Sequence, residues 1–334
     1  MAIVNAFRFD DNAGAMVSDE ESWYLGRRKT YYVEHLHVVL PDAGKGGSAC
    51  LAYGGVGDPA FHHEVVTHAR RALADREPGT AVEAARRVLA AFQAVSRRIA
   101  DDRLRFLFGF SADDLNRGRC ERDGETVELK NPSILKRARA IVEGKETVAG
   151  RGLVPANQAC LAGFDAEDGF QMFCIKESDL VLSFNAGGFE SLGQGRYAGG
   201  MRFGEHLGER TLAARREGVS ASTGVRLLLE SVLDASERFG QVGGRFRLLL
   251  IDGRAERGSR ARLLPVEASL VATEIVRAAR AGFLPDEEAS RLLEAAVLEG
   301  GGPEKVEGQL FGAASDATGL DLHLRGYKIR GEGA

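Results

Sequence analysis

Hydrophobic positions alternate near the start of the chain, recur every third or fourth residue further on, and then alternate again. Residues 3–9 are short and β-prone, Asp10-Asp11-Asn12 carries turn chemistry, and residues 13–18 form a second apolar run. After Gly26, residues 30–40 (TYYVEHLHVVL) are rich in β-branched and aromatic side chains. A period of two puts Val33, His35, His37 and Val39 on one face of that third run. Pairing the three in order predicts an antiparallel meander. A fourth strand is expected at residues 48–53, ending in Gly54-Gly55-Val56-Gly57.

The period then changes. Asp58 is a good N-cap and Pro59 suits the first helical position, after which Phe61, Val65, Val66, Ala69 and Leu73 make a helical stripe. A second helix opens on Thr80-x-x-Glu83, a capping box, and carries Val82, Ala85, Leu89, Phe92, Val95 and Ile99. Residues 106 to about 155 are polar, charged and poorly periodic, with Asn131-Pro132 and one short helix candidate at 134–143, and read as an insertion. Strand patterns resume at 158–164, 170–175 and 180–184, separated by Asp, Glu and Gly turns. A glycine-rich run from Gly193 leads into a helix to about Arg216, on which Gly200, Gly204 and Gly208 share a ridge. A capped helix is predicted from Ser220 to Phe239, stopped by Gly240, and residues 246–251 (FRLLLI) make a last strand. Beyond 256 come helix candidates at 266–281 and 285–299 and a Gly-rich end.

Composition narrows the function classes. The 334 residues are 44% hydrophobic and 28% charged with a net charge of −4, ordinary values for a globular chain. Arg pairs at 70–71, 86–87 and 97–98 are offset by neighbouring Glu and Asp, so no nucleic-acid partner is expected. The four cysteines, Cys50, Cys120, Cys160 and Cys174, form no CxxC pair, which argues against a disulfide framework and a cysteine zinc site. No cofactor or metal is expected. The start, MAIVNAFRFDD, carries charge inside any apolar core and does not read as a signal peptide. No apolar stretch approaches the ~18 residues of a membrane helix, so a cytoplasmic protein without a membrane partner is expected.

Four stretches, in this order and spacing, resemble the β-type subunits of the proteasome and the related bacterial HslV. Residues 2–19 (AIVNAFRFDDNAGAMVSD) match that family's opening hairpin, whose second strand ends in an acidic residue, and residues 51–58 (LAYGGVGD) match its turn before the first helix. Residues 161–173 (LAGFDAEDGFQMF) match its Gly-x-Asp hairpin, while 192–198 (LGQGRYA), with Gly243-Gly244 before FRLLLI, match its glycine-marked second half. The resemblance covers about 1–105 and 156–255, roughly 60% of the chain. It implies an α+β fold, a four-layer αββα sandwich of two antiparallel sheets of the Ntn-hydrolase type. The implied division is a domain over 1–255, with the insertion at about 106–155, and a helical C-terminal extension over 256–334.

Active members of that family use an N-terminal Thr whose hydroxyl attacks the scissile carbonyl while its amine serves as base. The matching position here is Ala2 or Ile3, and no Ser, Thr or Cys occurs before Ser18. The family's acidic residue is kept as Asp19, or Glu20 if the register slips by one. Its strand lysine falls on His35, its Gly-Ser-Gly serine on Gln194, and its later Asp and Ser on Phe239 and Val242. One of six roles is kept. Other candidates are bland: His62, His63, Glu64 and His68 lie together on a helix and read as surface or interface histidines, short of a closed metal site. Gly193-x-Gly195-x-x-Ala198 mimics a dinucleotide fingerprint but lacks the acidic residue at the end of a following strand. Cys50 and Cys174 read as small core residues, and Asp19 beside His35 reads either as an acid–base pair or as a structural one.

These readings imply a non-catalytic, proteasome-like subunit of bacterial type, a pseudoenzyme acting as oligomeric scaffold or binding module. The competing readings are a hydrolase of the same fold with a non-standard nucleophile, and a partner subunit in a mixed ring. The resemblance makes a homo-oligomer or ring the default assembly, with partner proteins in addition.

Overall fold

Asp10 decides the first turn: its carboxylate accepts the amides of Asn12 at 2.7 Å and Ala13 at 3.1 Å. The flanking runs become a hairpin of β1 (Ile3–Arg8) and β2 (Ala13–Asp19). In this computed structural model the described residues are 2–20, 22–24, 27–29, 33–41, 49–122, 124–143, 157–176, 181–185, 187–210, 217–240 and 242–325. Short strands β3 (Ser22–Tyr24) and β4 (Arg27–Lys29) pair with each other.

The expected meander is corrected at its third strand. Within the run 30–40 the described strand is β5 (Leu36–Leu40), which pairs with β6 (Cys50–Val56) in a second sheet. The neighbour of β2 is instead β13 (Phe246–Asp252). The physical reason is burial on both faces: FRLLLI is apolar at successive positions, which suits a central strand. Alternation in 30–40 fixes faces but names no partner.

The first sheet runs β12 (Phe189–Gly193), β1, β2, β13, β14 (Ala261–Leu263). The second runs β11 (Leu182–Phe184), β10 (Gly169–Lys176), β9 (Gln158–Asp165), β6, β5, and every pairing in both is antiparallel. Period two sorts the faces. Val4, Ala6, Met16 and Leu249 meet Cys50, Ala52, Cys160 and Ala162 between the sheets. Leu51, Tyr53, Leu161 and Phe173 turn outward onto α1 (Pro59–Asp75) and α2 (Ala81–Phe108). Ile3, Phe7, Val17 and Leu248 turn the other way, onto α5 (Arg196–Glu209), α6 (Ala221–Arg238) and α7 (Val266–Arg280). The layer order is helices, sheet, sheet, helices.

Caps place the first helix pair. Asp58 accepts the Ala60 amide at 2.9 Å, and Thr80 accepts the Glu83 amide at 3.2 Å. Asp165, fully buried at the β9–β10 turn, accepts the Ala81 amide at 2.8 Å and so fastens α2 to the sheet. Past α2, helix α3 (Ala112–Arg117), hairpin β7 (Arg119–Arg122) and β8 (Glu125–Glu128), and α4 (Pro132–Val142) surround a small core of Leu104, Phe110, Ala138 and Ile141. No described residue from 106 to 143 pairs within either five-stranded sheet.

Residues after 255 supply β14 as well as helices α7, α8 (Asp286–Leu293), α9 (Pro303–Ala313) and α10 (Ala317–Arg325), with a π-turn at Glu294–Leu298. Ile275, Leu292, Leu310 and Leu320 share one core with Ile3 and Leu228. Among the described residues no helix is long and apolar enough to cross a membrane.

Candidate functional site

Five of the sequence-selected residues lie around the start of β1. Ala2 is buried between the sheets. Asp19, at the end of β2, is fully buried and accepts the Ile3 amide at 2.9 Å through Oδ1 and the Gly243 amide at 3.3 Å through Oδ2. Val242 is buried against α5–α7, and its amide donates to the Phe239 carbonyl at 2.9 Å, so both aliphatic and aromatic replacements have a packing role. Phe239 itself ends α6, donating to the Ala235 carbonyl. Gln194 follows β12; its Oε1 is buried and has no hydrogen-bond partner among the described residues. Glu20, the alternative acidic residue, is ion-paired with Arg247 at 3.1 Å.

Two glycines explain how tightly this end closes. Gly193 has φ +91°, and a Cβ there would stand 2.0 Å from the Ala2 carbonyl oxygen. At Gly195 a Cβ would meet Ile3 and Ala235 within 2.6 Å. The Gly193-x-Gly195 spacing therefore reflects two close approaches of the chain to itself, with no dinucleotide fingerprint needed.

His35 belongs to a second group, on the helix side of the second sheet. Its carbonyl accepts the Gly55 amide at 2.9 Å, and the open space above Gly55 is filled by the His62 ring. Tyr53 Oη and His62 Nδ1 are 2.5 Å apart, and the His37 and Tyr53 ring centroids 6.4 Å apart. Burial pushes the His35 imidazole down to about 3, with the facing His62 adding to it, and pushes His62 down to about 4. Burial lowers His37 as well, with Arg70 of α1 acting in the same direction and Glu34 opposing. His35 and His62 are neutral at neutral pH.

His62 thus departs from the surface reading: it is 3% exposed, whereas His63 and His68 are exposed and Glu64 pairs with Arg98. The signal that could have found it is Gly55, which makes room for a ring beside β6. Among the described residues no three His, Cys, Asp or Glu side chains converge to hold a metal. Cys50, Cys160 and Cys174 are buried thiols between the sheets.

No protein-family model matches the chain, and no curated protein does. Solved structures similar to it include Anbu proteins. The Anbu complex from Pseudomonas aeruginosa, determined as a helical assembly, shares 13% identity with a TM-score of 0.51 over 84% of this chain and 93% of that one. Anbu (ancestral beta-subunit) from Yersinia bercovieri shares 13% identity, with a TM-score of 0.47 over 78% of this chain and 86% of that one. Anbu from Hyphomicrobium sp. strain MC1 shares 13% identity with a TM-score of 0.46 and the same coverage. At such identity the likeness to the Pseudomonas protein is one of fold. It corrects the family suggested by the motifs: the Pseudomonas structure is an Anbu protein, of a family distinct from the proteasome β-subunits and HslV, and the Ntn-hydrolase assignment does not stand on it. The quoted motifs mark structural necessities, the Asp165 cap on α2 and the Gly193 approach to Ala2, which several families on one fold can share.

Proposed function

We propose that this chain is a non-hydrolytic, self-assembling subunit on the fold it shares with Anbu, serving as a scaffold or binding module. One observation carries the first half. Asp19 directs both carboxylate oxygens at backbone amides, Ile3 and Gly243, in a setting made aliphatic by Ala2, Ile3 and Val242. A carboxylate engaged in this way holds strands together, and no Ser, Thr or Cys precedes Ser18 in the chain.

The assembly half rests on α5. Among the described residues no atom lies within 4 Å of where a Cβ would stand at Gly200, Gly204 or Gly208, and Tyr197 and Met201 on the same helix are 68% and 53% exposed. Each helical glycine sacrifices roughly 1 kcal/mol relative to alanine, and no contact among the described residues offsets that. Close approach of a second copy would. Light scattering at micromolar concentration is the test. A particle larger than 35.9 kDa supports the proposal and a monomer rejects it. Gly204→Leu should lower the particle mass without lowering the melting temperature.

A further inference from the structure

A cavity with a charged and apolar lining lies at the opposite end of the strands from Asp19. It encloses about 590 Å³ between the β1–β2 turn, the β13–β14 turn, the N-terminus of α6 and the π-turn. Three arginines line it, Arg254, Arg260 and Arg262, against two carboxylates, Asp10 and Asp252. Both carboxylates are turned on the most exposed of the three, Arg254, at 2.6 and 3.9 Å. Arg262 has a different environment: its Nη2 donates to the carbonyls of Val297 at 2.6 Å and Leu298 at 3.3 Å, with no acid among the described residues. The Arg260 guanidinium lies over the Phe164 ring, 5.5 Å from its centroid.

Two further features aim the site at an anion. Ser220, the N-cap of the 18-residue α6, lines the cavity, so the positive end of that helix faces it. The carbonyls that hold Arg262 end an i→i+5 turn, closed by the Glu299 amide on Glu294 at 3.1 Å, and such turns concentrate at functional sites. Val219, Leu250 and Leu298 give the same cavity an apolar wall. A cavity of this volume with a few convergent charges fits a small organic ligand.

We propose that this cavity binds a small organic oxyanion, a carboxylate or phosphate carried on an apolar body. Arg262 and Arg260 hold the charged group, in the forked geometry guanidinium offers both classes, and Val219, Leu250 and Leu298 pack the body. The proposal is independent of Asp19 and of assembly through α5.

Titration calorimetry on the full chain, at matched ionic strength, tests it with phenyl phosphate, octanoate and inorganic phosphate. At least one organic anion should bind, and more tightly than inorganic phosphate. Arg262→Gln should weaken that binding about tenfold or more, the loss expected of a charge-assisted contact. If Arg262→Gln does not fold, Arg260→Gln takes its place with the same expectation. Preference for phenyl phosphate or for octanoate identifies the anion class. The proposal is overturned if neither organic anion binds, if inorganic phosphate binds as tightly as both, or if the arginine variant binds as the parent does.

Discussion

The two ends of the sandwich treat buried charge in opposite ways. At the Asp19 end, one carboxylate accepts two backbone amides and glycines let the chain close on itself. At the Arg262 end, three arginines and two carboxylates line a cavity of about 590 Å³. The two ends are joined by the same strands, β2 and β13, so the contrast cannot come from different scaffolds. It comes from the turns. Gly193 and Gly243 allow close approach and hydrogen bonding at one end, while the Asp252–Arg260 turn holds arginines apart at the other.

Removing the closed end's central acceptor should have the largest effect. Asp19→Ala leaves the Ile3 and Gly243 amides without their acceptor and should destabilise the fold by about 2–5 kcal/mol in chemical denaturation. A loss below about 0.5 kcal/mol would mean Asp19 is not a structural cap. Gly193→Ala comes next, since it combines positive φ with a clash on the Ala2 carbonyl, and should cost about 1–3 kcal/mol. The matching change at an open position, Gly204→Ala, should be neutral or stabilise by up to about 1 kcal/mol. Equal losses at both would remove the distinction between a closed site and an outward helix face.

The histidine group next to the closed end predicts a pH dependence with a definite sign. His35 and His62 stay neutral in the folded state down to about pH 3 and 4, yet take up protons on unfolding below about 6.5. Stability should therefore be full above pH 6.5 and fall as pH drops towards 4, by at most roughly 1.4 kcal/mol per pH unit for each group. His35→Gln should flatten that slope by up to half, measured by denaturant melts across pH 4–7. An unchanged slope would remove His35 from the account. The smallest effect belongs to the open end: Arg254→Gln breaks a pair whose arginine is 57% exposed, and should cost under about 1 kcal/mol.

What could be read from the chain was local. Asp58, Thr80 and the Asp10 turn act within three residues of themselves, so caps and hairpins were legible. The partner of β2 was not, because alternation in 30–40 states a face and leaves the neighbour open. Strand β14 is three residues long, too short to show a period, and Glu294–Leu298 reads as ordinary helix until the hydrogen bonds widen it. At the site, Asp19 and Gly193 stood out in their motifs, yet what Asp19 holds lies 224 residues away at Gly243. The Arg260–Arg262 cavity carried no motif at all, since its arginines meet Ser220 and the π-turn only in the folded chain.

Covalent trapping tests the central claim, that the Asp19 end is closed and non-hydrolytic, most directly. The full chain is incubated with β-lactone and peptide epoxyketone electrophiles, and its intact mass is read before and after. The account predicts an unchanged mass and no cleavage of peptide or casein substrates. A single stoichiometric adduct mapping to residues 2–20 would contradict it.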